Sequence, residues 1–280
     1  MGSLAFGTVG SPNSTPARPG GSVGAIQQIS TLGLNALELG WVQSVRVSEE
    51  TCRNIAAESK KLDVHVSVHA SYYINLNADD EKWPASRQRL MDACYFGFLA
   101  GATDIVFHPG SSFGLGPEIV LPAVIHRLKD ISSELRERGI GVTLRPETMG
   151  KSALLGSLDD VLEMSRNVPG VLPCLDFAHL HAREGNGSMN TTAEWRSIFE
   201  KTGAVLGESA LQRMHIHLSG IEYTSKGERK HLPIRESDFN YLDLFAALRE
   251  FGCSGRLLCE SPNLEEDALY LQSVWNSLEA

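Results

Sequence analysis

Acidic residues and histidines follow several short apolar segments of the chain. Asp176 ends the segment VLPCLD, and His179 comes three residues after it. His69 and His108 end two earlier apolar segments, and Glu147 follows a third. Carboxylates and imidazoles are ligands that zinc, manganese and iron take in proteins. The spacing therefore predicts a metal site, provided that the fold brings the ends of these segments together.

Two later apolar segments carry His217 and Glu260 at their ends, and the loop between them contains His231. Burying so many ionisable groups in one place without cations would carry a large cost in desolvation and repulsion, which metal ions would remove. The candidate ligands from these segments and that loop are His69, His108, Glu147, Asp176, His179, His217, His231 and Glu260.

Four other histidines are interpreted differently. His126 lies in a helical pattern and is expected at the surface or half-buried. His181 lies just beyond the Asp176 segment and is expected at the surface. His65 and His215 lie a few residues before His69 and His217, on the same face of a strand. They are therefore expected one layer deeper, as core or supporting groups.

The elements that would position these residues alternate regularly. Eight apolar, β-rich segments are separated by eight segments with helical spacing of apolar residues, and glycine closes several of the latter. Eight strands alternating with eight helices predict a parallel sheet closed into a (β/α)8 TIM barrel. An open doubly wound sheet is the alternative, but the glycine-rich phosphate turn that it usually carries does not follow the first strand. The predicted strands are 4–8, 35–39, 63–68, 103–108, 140–145, 171–176, 213–218 and 255–260, and the predicted helices are 22–32, 48–61, 84–100, 117–138, 157–166, 192–205, 238–250 and 264–278.

Composition limits the class of protein. The 280 residues are expected to form a single TIM-barrel domain, because such barrels commonly fill this length. A net charge of −9 does not attract nucleic acid by bulk charge. Five dispersed cysteines without a CxxC pair indicate reduced thiols and a cytoplasmic protein. The sequence shows neither a signal peptide nor a membrane span, and we expect a monomer.

Five motifs in order along the chain resemble one known family. They are HASYYINL (69–76), FHPGS (107–111), LDFAH (175–179), HL (217–218) and CESPN (259–263). Together they resemble endonuclease IV, the apurinic/apyrimidinic endonuclease with a trinuclear zinc centre, in its archaeal-type branch of the xylose isomerase-like TIM barrels. The resemblance implies hydrolysis of the DNA backbone 5′ to an abasic site in base excision repair.

The resemblance also implies roles for the candidate ligands. His69, His108 and Glu147 would bind one ion, and Glu147 would bridge to a second ion held also by Asp176, His217 and Glu260. A third ion would be held by His179 and His231 with an acidic partner. The implied cofactor is zinc, as two or three ions, with manganese or iron as alternatives, and the implied catalytic residues are Glu147, Asp176 and Glu260.

This sequence departs from the family pattern at several places. The loop after the second strand carries Trp41 and Arg46 but no dense basic run, and Thr8 stands where the family has a histidine. Arg229 occupies the place of the third ion's acidic ligand, so Glu228 is the nearest substitute. In a plain extended loop its side chain would point away from His231, whereas a turn could bring the two together.

A second function fits the same ligand set. Sugar or sugar-phosphate isomerases and epimerases on this barrel also use strand-end histidines and carboxylates with a divalent metal. They commonly carry a glutamate at the end of the second strand, which Glu38 would supply. The number of ions separates the two readings, because three favour phosphoester hydrolysis and one between two carboxylates favours isomerisation.

Overall fold

Eight parallel strands form the inner wall of the molecule in the computed structural model, which describes residues 3–278. Between the seventh and eighth of them the chain makes an additional antiparallel hairpin, of strands β8 (Gly220–Thr224) and β9 (Gly227–Leu232). The barrel strands are β1 (Leu4–Val9), β2 (Ala36–Gly40), β3 (His65–His69), β4 (Asp104–Phe107), β5 (Thr143–Pro146), β6 (Leu175–Asp176), β7 (Met214–Leu218) and β10 (Gly255–Cys259).

The strand order closes the wall into a ring. Ladder hydrogen bonds connect the strands in the order β5-β4-β3-β2-β1-β10-β7-β6. The two ends of this series meet through parallel bridges between Leu144 and Val171 and between Glu147 and Cys174, just before β6. The predicted TIM barrel is therefore confirmed.

The helices cover the outside of the ring. Eight of them match the predicted helices closely, although the predicted helix 238–250 begins only at Tyr241, after a short 3-10 turn at Ile234–Glu236. The short helices α6 and α8 and the hairpin β8–β9 were not predicted. The helices are α1 (Gly21–Thr31), α2 (Glu49–Leu62), α3 (Trp83–Leu99), α4 (Pro117–Glu137), α5 (Leu158–Asn167), α6 (Phe177–Ala182), α7 (Thr192–Leu206), α8 (Glu208–Leu211), α9 (Tyr241–Glu250) and α10 (Glu265–Ser277).

Local sequence fixes where several helices start. Ser157 and Thr191 begin α5 and α7 with complete capping boxes, in which the side chains of Asp160 and Glu194 accept a hydrogen bond from the backbone amide of the cap residue. The loop after β1, which is rich in proline and glycine, is tied to α10. There Glu265 accepts hydrogen bonds from the backbone amides of Asn13 and Ser14 at 2.7 Å.

Alternation along the strands separates an apolar layer from a polar interior. Val66 and Val68 of β3 belong to the large core between strands and helices. Ser67 and His69, on the other face of β3, are buried and point into the barrel. The fold thus places the polar residues of the strands inside the ring. Among residues 3–278, no helix is both long and apolar enough to span a bilayer.

Candidate metal centre

The carboxyl ends of six strands bring the candidate ligands to one end of the barrel. Their donor atoms form three adjoining groups, and within each group the atoms lie within 4.8 Å of one another. The groups are His69, His108 and Glu147; Glu147, Asp176, His217 and Glu260; and His179, Glu228 and His231. The structure therefore brings together all nine residues singled out from the sequence.

Glu147 connects the first two groups through its two carboxylate oxygens. Oε2 lies 3.3 Å from His69 Nε2 and 3.1 Å from His108 Nε2. Oε1 lies 3.0 Å from Nδ1 of His217, and the carboxylate is fully buried. One oxygen thus faces each group, which is the arrangement that a carboxylate bridging two cations requires.

Backbone carbonyls fix the orientation of two ligand histidines. Nδ1 of His69 donates to the carbonyl oxygen of Ala70 at 3.0 Å, and Nδ1 of His179 donates to that of Thr148 at 2.9 Å. Both rings therefore direct Nε2 toward the centre, as metal-binding histidines do. In a neutral His69 the lone pair of Nε2 would then face an oxygen of Glu147, and the two would repel unless a proton or a cation lies between them.

Two carboxylate oxygens at the centre lack a hydrogen-bond partner among residues 3–278. Asp176 caps helix α6 by accepting from the amide of His179 through Oδ1 at 2.6 Å, while its buried Oδ2 has no hydrogen bond. Glu260 Oε2 is also buried without a hydrogen bond, and it lies 3.5 Å from His217 Nδ1. Unpaired buried carboxylate oxygens beside imidazole nitrogens fit the binding of divalent cations.

The third group forms between helix α6 and the hairpin. Nε2 of His179 lies 3.3 Å from Nε2 of His231 and 3.6 Å from Glu228 Oε2. A β-bulge makes this possible, because Glu222 pairs with Lys230 and Tyr223 with Glu228, which leaves Arg229 as the extra residue of β9. Glu228 and His231 consequently share a face although they are three residues apart. The sequence left open an extended segment, in which the two side chains would diverge, and a turn, which would bring them together. In the structure a bulge rather than a turn brings them together.

The electrostatics of the centre favour protonated imidazoles when cations are absent. Burial by itself lowers the pKa of His69, but hydrogen bonding to Glu147 outweighs it and raises the pKa to about 9. Burial also lowers the pKa of His179 by itself, but the negative charge of Asp176 outweighs this effect and raises the pKa to about 9. The pKa of Asp176 is itself raised, mainly by burial. Protons thus occupy, in the metal-free centre, positions that cations can take.

Two expectations about the remaining histidines were wrong. His181 is fully buried, with Nε2 3.1 Å from Asp238 Oδ1 and Nδ1 donating to the carbonyl of Ser188 at 2.9 Å. His65 is exposed at the opposite end of the barrel rather than in a supporting layer. His126 is exposed as expected, and His215 is buried beneath the centre.

The departures from the family pattern lie beside the centre or outside it. The Thr8 hydroxyl donates to the carbonyl of Gly10 at 2.7 Å, so it is used within its own loop. Trp41 is half-buried against the core, and Arg46 is exposed. Glu38 lies inside the barrel, where His215 Nε2 is 2.9 Å from its Oε2. Sequence reasoning missed this contact because it joins residues 177 positions apart.

Tyr72 was not singled out as a site residue, although it belongs to the HASYYINL motif. Its ring stacks on that of His108, with centroids 4.9 Å apart and an interplanar angle of 22°. It also meets His69 edge-on at 5.2 Å. Tyr72 therefore forms part of the wall of the centre while half of its surface remains exposed.

Comparisons with known proteins match nearly the whole chain. An uncharacterized protein of Methanocaldococcus jannaschii is 38% identical over 276 residues, or 98% of each chain. A probable endonuclease 4 of Geobacillus sp. (strain WCH70) is 26% identical over 173 residues, which are 59% of this chain and 55% of that relative. This second match thus spans about half the length of that relative.

Solved structures show the same fold at lower identity. Endonuclease IV from Thermus thermophilus superposes with a TM-score of 0.70 and 20% identity, covering 98% of this chain and 100% of that one. A D-tagatose 3-epimerase-like protein superposes with a TM-score of 0.72 and 19% identity, covering 99% and 97%. A family model described as xylose isomerase-like TIM barrel matches residues 26–277. The chain therefore belongs to the xylose isomerase-like TIM-barrel family.

Proposed function

We propose that this protein is a metal-dependent phosphodiesterase that hydrolyses the DNA backbone 5′ to abasic sites. The observation that carries the proposal is the set of three adjoining ligand groups, two of them joined by the carboxylate of Glu147. An isomerase that holds one ion between two carboxylates has no need of the group formed by His179, Glu228 and His231.

The residues present fit two or three divalent cations, with zinc as the proposed metal. His69 and His108 would hold one ion, Asp176, His217 and Glu260 a second, and Glu147 would contact both. Ions bound there would supply charge stabilisation of a phosphoryl group and a nucleophilic water at neutral pH. The protein's own task is to hold the ligands in place, and the carbonyls behind His69 and His179 and the α6 cap at Asp176 do this.

Exposed aromatic side chains near the mouth supply a surface for nucleic acid. Tyr73 follows Tyr72 in the loop after β3, Phe113 lies in the loop after β4, and both are 65% exposed. They line one open groove together with Arg89, whose guanidinium lies 5.9 Å from the ring of Tyr73. Aromatic faces stack on unpaired bases, and an abasic site leaves one base without its partner. This surface supports abasic DNA as the proposed partner, despite the net charge of −9.

The test is cleavage of a duplex that carries one tetrahydrofuran abasic analogue, by protein reconstituted with zinc. We expect hydrolysis on the 5′ side of the analogue with a 3′-hydroxyl product, and about two to three zinc ions per chain by elemental analysis. The analogue resists cleavage by elimination, so the product reports hydrolysis. His179→Asn should lower activity and zinc content, whereas His126→Asn, at an exposed position on α4, should leave both unchanged.

The rival function is epimerisation of a ketose. The group of Glu147, Asp176, His217 and Glu260 favours it, because one ion there would lie between two glutamates. The expected strand-two glutamate does not support it, since Glu38 is fully buried and engaged with Ser67 and His215. One bound metal per chain, no cleavage of the abasic duplex and turnover of a ketose would replace the proposed hydrolase by this rival.

A further inference from the structure

A buried carboxylate lies inside the barrel beneath the candidate metal centre. Glu38, in the middle of β2, is fully buried and lies in register with Ser67 of β3. The Ser67 hydroxyl donates to Glu38 Oε2 at 2.7 Å, and Nε2 of His215 lies 2.9 Å from the same oxygen. The other oxygen, Oε1, lies 3.0 Å from Nε2 of His217. Three polar side chains thus converge on one carboxylate.

These contacts cross the interior of the barrel. His215 and His217 are on β7, and strands β1 and β10 separate β7 from β2. Ala5 of β1, Ala36 of β2 and Leu258 of β10 form a small apolar cluster that is separate from the main core. The interior of a TIM barrel is usually filled by branched apolar side chains. Burying a charged residue there costs free energy, which indicates that the residue has a function.

His217 differs from the other ligand histidines in the nitrogen that it presents. His69 and His179 direct Nε2 at the centre because adjacent backbone carbonyls accept from Nδ1. His217 instead directs Nδ1 at Glu147 and Glu260, and its Nε2 points down into the barrel. Neither His217 Nε2 nor Glu38 Oε1 has an aligned hydrogen bond within residues 3–278, and the two atoms lie 3.0 Å apart. Glu38 therefore faces the rear nitrogen of His217, as backbone carbonyls face the rear nitrogens of His69 and His179, and it can orient the ring in the same way.

We infer that Glu38 is a positioning residue that holds His217 as the Nε2–H tautomer and so directs the Nδ1 lone pair at the second ion. Ser67 and His215 fix the carboxylate from its other oxygen. A negatively charged acceptor behind a ligand histidine also makes the imidazole a stronger ligand. The inference deepens the proposed function and rests on the metal centre which that function requires.

The residues around His217 could instead bind a further cation, and this alternative predicts a different effect of mutation. Donor atoms of Cys174, His215 and His217 also lie within 4.8 Å of one another, and a further cation bound there would make Cys174 a ligand. If Glu38 acts by positioning, Cys174 has no part in metal binding. Replacing Cys174 therefore separates the two.

The experiment measures zinc binding and the tautomer of His217, without DNA. Glu38→Gln keeps the size of the side chain, but its amide can either donate or accept, so it imposes neither tautomer. We expect one zinc ion to bind about 10–100-fold more weakly, with the remaining zinc unaffected. In the zinc-loaded protein, ring ¹⁵N shifts should show Nε2–H and a metal-bound Nδ1 on His217 in the unaltered chain and a mixture of states in the variant.

Two further variants complete the experiment: one is a control, and the other tests the inference if Glu38→Gln does not fold. Asp104→Asn also removes a buried carboxylate from the barrel interior, but one paired with arginines, and should leave zinc affinity unchanged. Ser67→Ala keeps the Glu38 charge and removes one hydrogen bond, so it should weaken the same ion by a few-fold. If Glu38→Gln does not fold, Ser67→Ala decides the question, and unchanged zinc affinity in it would overturn the inference.

The remaining outcomes are also decisive. Unaltered zinc affinity and an unaltered His217 tautomer in Glu38→Gln would show that Glu38 does not position this ligand. Loss of one zinc in Cys174→Ser would overturn positioning in favour of a further metal site. Failure of the unaltered protein to cleave abasic DNA would contradict the proposed function but not this inference, because the inference is tested by zinc affinity and by the ¹⁵N shifts of the His217 ring.

Discussion

Glu147 is the side chain on which the candidate centre depends most. It faces His69 and His108 with one oxygen and His217 with the other, and its burial prevents water from replacing either contact. Removing its charge would leave cations on both sides with less compensation. An effect on two ions from one substitution is what distinguishes a bridging ligand from a terminal one.

Glu147→Gln keeps the volume of this residue and removes the charge. We expect at least one zinc ion per chain to be lost and hydrolysis of the abasic duplex to fall by orders of magnitude, because nucleophile and leaving group both depend on cations. Elemental analysis and turnover measure the two effects. A variant with full zinc content and near-normal turnover would show that Glu147 is not a bridge.

Protonation of His69 and His179 makes zinc binding depend on pH. Because their pKa values are raised to about 9 in the metal-free centre, both imidazoles are protonated at about pH 7. Zinc must displace those protons, so its affinity should rise with pH until about 9 and binding at about pH 7 should release protons. Calorimetry in two buffers of different ionisation enthalpy counts the protons. Zinc binding without proton release, or with an affinity independent of pH, would contradict this assignment.

At the scale of elements, the hairpin β8–β9 supplies two of the three residues of the third ligand group, Glu228 and His231. The β-bulge accommodates Arg229 as an extra residue, so that Glu228 and His231 lie on one face of β9. This geometry explains how the chain can carry an arginine at the position where the resemblance to endonuclease IV predicts an acidic ligand. The exposed ion pair of Arg229 with Glu222 contributes little to stability.

The third ion should bind more weakly than the other two and depend on Glu228. Two of its three ligands, Glu228 and His231, are partly exposed, and Glu228 reaches it only through the bulge. A chelator titration should remove one zinc early and the rest late, and Glu228→Ala should abolish the early phase. Deleting Arg229 should retain it, because a regular strand would also put Glu228 and His231 on one face.

Two results would contradict that account of the hairpin. Simultaneous release of all zinc from the unaltered protein would show that the third group is not a weaker site. Loss of the early phase in the Arg229 deletion, to the same extent as in Glu228→Ala, would show that the bulge itself is needed.

The regular elements could be predicted from the sequence, whereas contacts across the barrel could not. Alternation in the segment DVHVSVH predicted that His65 and His69 share one face of a strand, because a strand has a period of two. The hairpin was missed because EYTSKGERKH has too few apolar residues for a clear strand pattern. His181 was placed at the surface because its partner Asp238 lies 57 residues further on, and only the packed fold shows that they meet.

Considered as a whole, the barrel carries polar groups at both ends of its interior. The candidate metal centre lies at the carboxyl ends of the strands, and three divalent ions there would change the formal net charge from −9 to −3. At the amino ends, Asp104 contacts Arg145 at 2.5 Å and Arg256 at 3.0 Å, and all three are largely buried. Arg145 also donates to the carbonyls of Pro173 and Arg213, which ties β5 to the segment before β6 and to the turn before β7. This cluster helps to close the ring where regular pairing between β5 and β6 is sparse.

Asp104→Asn should destabilise the protein without affecting the metal centre. Burial raises the pKa of Asp104, but the charges of Arg145 and then Arg256 outweigh it and hold the pKa well below its usual value. A depressed pKa in the folded state stabilises it above the unfolded pKa of about 4, and this contribution is lost as pH falls further. The variant should therefore lose about 3–5 kcal/mol at about pH 7 and progressively less below about pH 4.

Urea unfolding of both proteins at neutral pH and in the acid range measures this difference, and comparing the two at each pH removes the effect of acid on the metal ligands. Asp130→Asn, which removes an exposed contact with His126 on α4, is the matched control and should change stability by less than about 0.5 kcal/mol. The cluster acts through the ionised carboxylate, so acid must shrink the difference between Asp104→Asn and the unaltered chain. An equal loss of stability in that variant in acid and at neutral pH would instead assign the effect to packing around the side chain.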